Sequence, residues 1–369
     1  MIAPDDPRAG DVRALLARHL AFAHANSEPR DVHALDVDAL TDPSVSFFSA
    51  RADGELLGVG ALKRLDATHA EIKSMHTAEA ARGRGIGRAM VEHLLGVARE
   101  RGFRRVSLET GSGEAFAPAR ALYASAGFAP CGPFGDYARS EASTYLTLWL
   151  DGPPRLALSW SGGKDSALAL QALRAAGVEP AVLLTTVDEE SATVAHHGVS
   201  VSLLERQAAA VGVPLTTVAI PARPSNGVYE QRLRAAFAAG PLAEVDGVAF
   251  GDLFLEDLRA YREARMSEAG LRAEFPLWGR DTAVLAREFI ADGFAATLVS
   301  VDGDQLPHAL LGRAFDAGLL ADLPPTADPC GENGEFHTFV TGGPVFSAPI
   351  AVAPAQRRTD GRFAWLALR

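Results

Sequence analysis

A chain of 369 residues, 48% hydrophobic and 22% charged, has the length of two or three domains and the composition of a soluble globular protein. Its net charge of -11 argues against broad binding to nucleic-acid backbones, and two distant cysteines, Cys131 and Cys330, make neither a disulfide framework nor a cysteine-paired metal site. The N-terminal MIAPDDPRAGD lacks a signal-type apolar core, and no apolar run reaches the roughly 20 residues of a membrane span, so the expectation is a cytoplasmic protein with no membrane partner.

Leu15, Leu16, Leu20 and Ala23 share one face, which predicts a helix near 11–25. Three strand-like runs follow at 44–51, 55–65 and 69–77, and Asp53-Gly54 between the first two is a hairpin signal. The loop Arg82-Gly83-Arg84-Gly85-Ile86-Gly87 opens a helix near 87–101. A strand at 104–110, a helix over 118–127 ending at Gly127 and a strand at 145–150 complete an α+β layer over 1–150. Asp151-Gly152-Pro153-Pro154 breaks the chain, and 155–369 reads as a second domain. Strands at 155–160, 180–188, 215–220, 247–251 and 296–301 alternate with helices near 165–176, 199–211, 228–239, 256–269, 281–292 and 307–321, the pattern of a doubly wound parallel α/β sheet. The Gly- and Pro-rich segment 324–352 reads as a functional loop followed by short β structure.

Ser161-Gly162-Gly163-Lys164-Asp165-Ser166 lies between the first strand and first helix of the second domain. Unpaired amides at a helix start and the helix dipole favour an anion there, glycines let the backbone approach a phosphate, and Ser161, Lys164 and Ser166 add donors. The string lacks the G-x-x-x-x-G-K-[ST] spacing of a P-loop. It resembles the PP-loop of the ATP pyrophosphatases. GDLFLEDLRAYRE (251–263), FPLWGRDTAVLAREFIADGF (275–294), LLADLP (319–324) and DPCGENGEFHTFV (328–340) extend the likeness to the diphthine–ammonia ligase family of adenine-nucleotide α-hydrolases, over about 155–350.

The resemblance implies a HUP-like fold, ATP as cosubstrate, and adenylation of a carbonyl or carboxylate oxygen before a nitrogen nucleophile displaces AMP. Lys164 and the loop amides are then expected at the phosphates. Asp165 is either a Mg²⁺ ligand or a partner of the helix dipole. Asp252, at a strand's carboxyl end, is either a nucleotide or substrate contact or a cap. Glu332, Asn333, Glu335 and His337 fall in the loop that lies at the acceptor pocket in the resembling family, as sites for an amine or ammonia or for proton shuttling. Asn226, Tyr229 and Glu230 also match the family pattern. His196 and His197 lack companion ligands and are not taken as a metal site. The wording is similar to the family's bacterial branch, so the likeness carries the activation chemistry rather than the diphthamide substrate.

In the first domain, Arg82 to Gly87 with ALYASAGF (121–128) and CGPFGDY (131–137) resembles the GNAT N-acetyltransferases. The resemblance implies that the pyrophosphate of acetyl-CoA sits on this loop, where glycines expose amides and arginines add charge. Tyr123 holds the place of the residue that protonates the departing thiolate, or is a core tyrosine. Glu71 and Glu109, on strands expected to splay apart, are alternatives for the general base or structural ion-pair partners. The combined expectation is a fused enzyme: an acetyl-CoA-dependent N-acetyltransferase and an AMP-forming amide ligase. Their substrates would be small molecules, an amine for one and a carboxylate plus ammonia or amine for the other. The alternatives are an acetyltransferase with an ATP-sensing regulatory domain, or an RNA-modifying enzyme, against which the acidic charge counts. A homo-oligomer is compatible with the sequence, which does not fix the state of assembly.

Overall fold

A computed structural model of the protein describes residues 1–27, 33, 35–137, 140–194, 198–222 and 224–369. The chain divides into two compact units, Met1–Pro153 with Ala175–Gly177, and Pro154–Arg174 with Val178–Arg369. His196 and His197 lie outside the described residues. Among the described residues no helix is long and apolar enough to cross a membrane.

The first unit contains β1 (Ile2–Pro4), α1 (Gly10–Asn26), β2 (Val45–Ala52), β3 (Glu55–Arg64), β4 (His69–Thr77), α2 (Ile86–Glu100), β5 (Arg105–Gly111), α3 (Ala117–Ser125), β6 (Ala129–Pro130) and β7 (Ser143–Trp149). Asp53 and Gly54 both take positive φ, 50° and 85°, as a two-residue hairpin turn between β2 and β3 requires. The sheet order is β1-β2-β3-β4-β5-β7-β6. Strand alternation sends Phe47, Val59 and Ala61 to one face, against Val12, Leu15 and Leu16 of α1. Phe48, Leu62 and Ile72 belong to a second core built with Met90, Val91, Leu94, Leu95 and Ala98 of α2. Those α2 residues recur at helical spacing, so the helix hides one stripe.

The pair β4–β5 positions the site. Its parallel pairing covers only His69↔Arg105, Ala70↔Val106 and Glu71↔Ser107. β4 then runs on to Thr77 and β5 to Gly111 without pairing to each other, which opens a wedge between them.

The second unit contains β8 (Leu156–Ser159), α4 (Lys164–Ala175), β9 (Val182–Asp188), α5 (Val201–Val211), β10 (Leu215–Ile220), α6 (Asn226–Phe237), β11 (Gly247–Ala249), α7 (Glu256–Glu268), β12 (Arg272–Glu274), α8 (Thr282–Ala291), β13 (Ala295–Asp302), α9 (Ala317–Asp322), β14 (Phe336–Gly342), β15 (Pro354–Thr359) and β16 (Phe363–Leu368). A parallel sheet has the order β10-β9-β8-β11-β12, so the chain starts at the centre, builds outward to one edge, and returns to the other side. The switch point falls between β8 and β11. Leu156, Ala157 and Leu158 are completely buried, as a strand covered on both faces demands.

Two expectations are corrected within this doubly wound plan. The strand expected at 296–301 is β13, and it belongs to a separate antiparallel sheet of order β14-β13-β16-β15. The helix expected over 307–321 is a single turn at His308–Leu310 and the short α9. Between them the backbone bonds to β13 instead: Gly312 N–H donates to the Leu298 carbonyl at 2.9 Å, Leu298 N–H to that of Arg313 at 2.9 Å and Phe315 N–H to that of Ala296 at 2.9 Å. Donors and acceptors committed to a strand cannot also close helical turns.

Candidate functional site

The wedge of the first unit is a cleft of about 550 Å³. Arg82, Gly83, Gly85, Ile86 and Gly87 line it, as do residues 72–77 of β4, Glu109 and Tyr123. Gly85 caps α2 with φ 79° and Gly83 has φ 73°, conformations that side chains rarely adopt. A Cβ at either would meet nothing within 4 Å, so this loop is open on the cleft side. The first amides of α2 have no partner within the helix and are available to an anion there. Arg84 is exposed and does not line the cleft.

Glu71 and Glu109 are set apart by their surroundings. Glu71 is 2% exposed and is held 3.3 Å from Lys73 Nζ. Tyr137 hydroxyl donates to Glu71 Oε1 at 2.5 Å and accepts from Lys73 Nζ at 2.5 Å. Glu71 is therefore committed to a buried network, and it does not line the cleft. Glu109 does, and burial raises its pKa above the usual carboxylate value. Tyr123 is 6% exposed, and burial, followed by the negative charge of Glu109, pushes its pKa up. A carboxyl and a phenol that feel one another thus face the same cleft. His19 and His76 line it too, with ring centroids 5.3 Å apart, and burial followed by the charge of His76 lowers the pKa of His19 to about 4. Sequence reasoning passed over Lys73, Tyr137 and the histidine pair; an ionisable residue in an otherwise buried strand, as in EIKSMHT, was the available signal.

In the second unit the loop Ser161–Gly163 follows β8 and α4 begins at Lys164. β14 and α5 fasten it. Val340 N–H donates to the Gly162 carbonyl at 2.9 Å and Lys164 N–H to Thr338 Oγ1 at 3.0 Å. Gln207, completely buried, donates to the carbonyls of Gly162 and Val340 at 3.0 and 2.7 Å and accepts from Trp160 Nε1 at 2.9 Å. Ser161 Oγ accepts from Gly163 N–H at 3.3 Å, and Ser166 Oγ donates to the Gly163 carbonyl at 2.8 Å. Gln207 was also missed, although one amide in an otherwise apolar helical stripe, LLERQAAAV, marks it.

Lys164 Nζ lies 2.8 Å from both carboxylate oxygens of Asp165. Burial disfavours the Lys164 charge, but Asp165, together with Cys330 and Glu332, more than offsets this and the net pKa is raised. Asp165 is thus paired to a lysine, and among the described residues no group of three His, Cys, Asp or Glu side chains could hold a metal. A Mg²⁺ held as expected at Asp165 would take its remaining ligands from phosphate oxygens and water. Gly251 brings the loop after β11 against the start of α4, where a Cβ would stand 3.0 Å from the Asp165 carbonyl. Asp252 follows, 8% exposed and 2.6 Å from Arg262 Nε, its pKa raised by burial. Glu332 Oε1 accepts from Leu253 N–H at 2.8 Å. Burial first, then the negative charges of Asp165 and Asp252, push the Glu332 pKa up to about 7. Lys164, Asp165, Asp252 and Glu332 therefore meet at the carboxyl ends of β8 and β11, at the switch point.

Glu335 and Asn333 do other work. Glu335 is 1% exposed, and its Oε1 accepts from Asp328 N–H at 2.8 Å and from Asn333 Nδ2 at 3.2 Å. Both hold the 328–335 loop in shape through these contacts, while the second carboxylate oxygen of Glu335 is buried with no partner among the described residues. Beside Ser161, a cavity of about 140 Å³ is lined by Tyr229, Glu230, Arg234, Phe250 and Arg262.

A splayed strand pair with an anion loop and a carboxyl–phenol pair is the layout of an N-acyltransferase, and a glycine loop at the switch point of a parallel sheet is that of a nucleotide-binding enzyme. Residues 13–128 match the acetyltransferase (GNAT) family, 154–273 the diphthamide synthase N-terminal domain and 281–368 the diphthamide synthase C-terminal domain. The chain belongs to the GNAT family through its first unit, and diphthamide synthase domains make up the rest. It is 42% identical over 143 residues to an uncharacterized N-acetyltransferase, YsnE, of Bacillus subtilis, covering 39% of this chain and 95% of that protein. It is 32% identical over 114 residues to a diphthine–ammonia ligase of Danio rerio, covering 29% of this chain and 44% of that one. The crystal structure of a GNAT family acetyltransferase from Elizabethkingia anophelis with acetyl-CoA bound is 21% identical, with a TM-score of 0.30, and covers 40% of this chain and 97% of that one.

Proposed function

We propose that the first unit transfers the acetyl group of acetyl-CoA to a small amine, and that the second forms an amide from a carboxylate and ammonia or an amine, splitting ATP to AMP and pyrophosphate. For the first unit the carrying observation is the shared cleft of the open Arg82–Gly87 loop, Glu109 and Tyr123. The loop amides and Arg82 bind the pyrophosphate. Glu109 takes the proton of the attacking amine, and Tyr123 gives one to the departing sulfur. The buried Glu71–Lys73–Tyr137 network braces β4.

For the second unit the carrying observation is Glu332 beside Lys164, Asp165 and Asp252. ATP supplies the activation: a carboxylate oxygen attacks the α-phosphorus and pyrophosphate leaves. Lys164 and the α4 amides hold the phosphate charge. Glu332, which titrates close to neutrality, takes a proton from the nitrogen that displaces AMP. The cavity beside Ser161 offers the nucleoside aromatic and arginine side chains.

Acetyl-CoA titrated into the whole protein tests the first assignment, and unaltered heat signals with acetyl-CoA would refute it. A carboxylate–amine metabolite screen for ATP-dependent AMP release tests the second, and stoichiometric ADP in place of AMP would refute that one.

A further inference from the structure

One stripe of α1 serves two surfaces. Val12, Leu15 and Leu16 are buried in the core with β2 and β3. The same helical spacing continues through His19, Phe22 and Ala23, which line the cleft instead. The end of β5 supplies the facing part. Glu109 and Gly111 are two residues apart on that strand, so they project to one side of it, and both line the cleft. Gly111 has no side chain to send there, and the ring of Phe116 takes the place, since a Cβ on Gly111 would collide with it. Arg120 holds this turn, donating to the carbonyls of Gly111 and Gly113 at 2.7 and 2.8 Å. Phe22 meets Phe116 edge to face, with ring centroids 5.3 Å apart and planes at 72°.

The chemistry of this wall says what it would take. Glu109 and the Phe116 ring over Gly111 are about 7 Å apart along the strand, the reach of a short alkyl tether between an amine and a ring. Aromatic rings meet one another best edge to face or offset, and Phe22 and Phe116 together present an edge and a face. His19 and His76 add two more rings, and burial lowers the pKa of each, so both are uncharged at neutral pH. Among the described residues that line the cleft, Glu109 is the one acid. The further ammonium groups of a polyamine or an aminosugar would find no counter-charge there, and burying them unpaired is costly. Lys73 is already paired with Glu71 and bonded to Tyr137, which leaves little for an acceptor carboxylate.

We infer that the acceptor is a primary monoamine carrying an aromatic ring on a short alkyl tether, its ring held against Phe22 and Phe116 and its nitrogen at Glu109. The inference rests on the acetyltransferase reading of the first unit and names the substrate class of that site. A bond forms between the amine nitrogen and the acetyl carbon, and the bond from that carbon to sulfur breaks, its electron pair leaving on sulfur. Glu109 takes the amine proton, sulfur takes one from Tyr123, and the Glu109 proton restores Tyr123. The products are the N-acetyl amide and the CoA thiol.

The test measures thiol release from acetyl-CoA by the full-length protein with phenethylamine, propylamine and spermidine. The kcat/KM for phenethylamine should exceed that for either other amine by about 10-fold or more, as for the burial of one ring. Phe116→Ala should cut the preference for phenethylamine over propylamine about 10-fold, mainly through KM. Phe22→Ala should act in the same direction, and so should Gly111→Ala, which drives the Phe116 ring off β5. Calorimetric titration with acetyl-CoA, expected within about twofold of the unsubstituted protein, reports that each variant is folded. A preference for spermidine, equal kcat/KM for all three amines, or no turnover of phenethylamine by a protein that binds acetyl-CoA would overturn the inference. An unchanged preference in both folded phenylalanine variants would do the same. Failure of the unsubstituted protein to bind acetyl-CoA would instead bring down the acetyltransferase reading and this inference with it.

Discussion

The two glycine loops resemble each other in sequence and use glycine for different reasons. In Arg82–Gly87, Gly83 and Gly85 are required by positive φ, and the space a side chain would fill is open. In Ser161–Gly163, Gly162 also has positive φ, 79°, but a Cβ there would stand 2.7 Å from Gln207 Oε1 and 2.8 Å from Leu204 Cδ2. A Cβ on Gly163 would stand 3.1 Å from the Thr338 carbonyl oxygen. The glycines of the first loop border open space, and those of the second are packed against its own buttress. The cations differ likewise: Arg82 is exposed at the rim, whereas Lys164 is 3% exposed and paired with Asp165.

The comparison can be broken most sharply at Lys164. Lys164→Ala should slow AMP-forming turnover by about 10²–10³-fold if that charge acts in the transition state. Because the two loops belong to different units, acetyl-CoA affinity in the same variant should be unchanged, and its loss in a folded protein would favour an ATP-sensing role for the second unit. Glycine substitutions come next. Gly85→Val should cut acetyl-CoA affinity by about 100-fold or more, with a stability loss of only about 1–2 kcal/mol from the backbone conformation. Gly162→Ala should cost about 2–4 kcal/mol, since overpacking adds to the same backbone strain. Thermal melts of the two variants check the contrast, and equal losses would erase it.

A smaller effect is expected at Tyr123. Tyr123→Phe should lower the maximal acetyl-transfer rate about 10–100-fold while leaving acetyl-CoA affinity nearly intact, because a general acid acts at the chemical step. The gentlest test is pH. Glu332 has an ordinary value of 4.5 and a folded value of about 7, so between these the folded state holds the extra proton. Its contribution to stability is present at low pH and lost as pH rises through that window. Glu332→Gln should flatten the dependence of denaturation midpoint on pH between 4.5 and 7, and remove an inflection near 7 from ligase activity.

Local pattern carried much of this molecule. Asp53-Gly54 declared its hairpin, the α2 stripe its buried face, and the two glycine strings their strand–turn–helix settings, because turn chemistry and periodicity act over a few residues. Several elements were illegible for physical reasons. β15, PAQRRT, is exposed along its whole length and shows no alternation. β12 has three residues, too few for a period. β16, FAWLAL, alternates partly buried with buried residues and was legible in principle. An apolar run such as that of β13 reads alike in a parallel and an antiparallel sheet, and only its partners distinguish them.

The sequence by itself determined the two families, the two glycine loops and the residue types brought to each site, since these rest on local backbone geometry and side-chain chemistry. Tertiary structure decided how each of those residues is placed. Glu71 and Glu109 look equivalent in the chain, yet Tyr137, more than sixty residues from Glu71, and Lys73 tie up one and leave the other facing the cleft. Glu332 and Glu335 share one loop, yet one is lifted toward neutrality by Asp165 and Asp252 and the other is folded onto Asp328. Proton affinity and access depend on burial and on charges brought in from distant segments, and no local pattern encodes either.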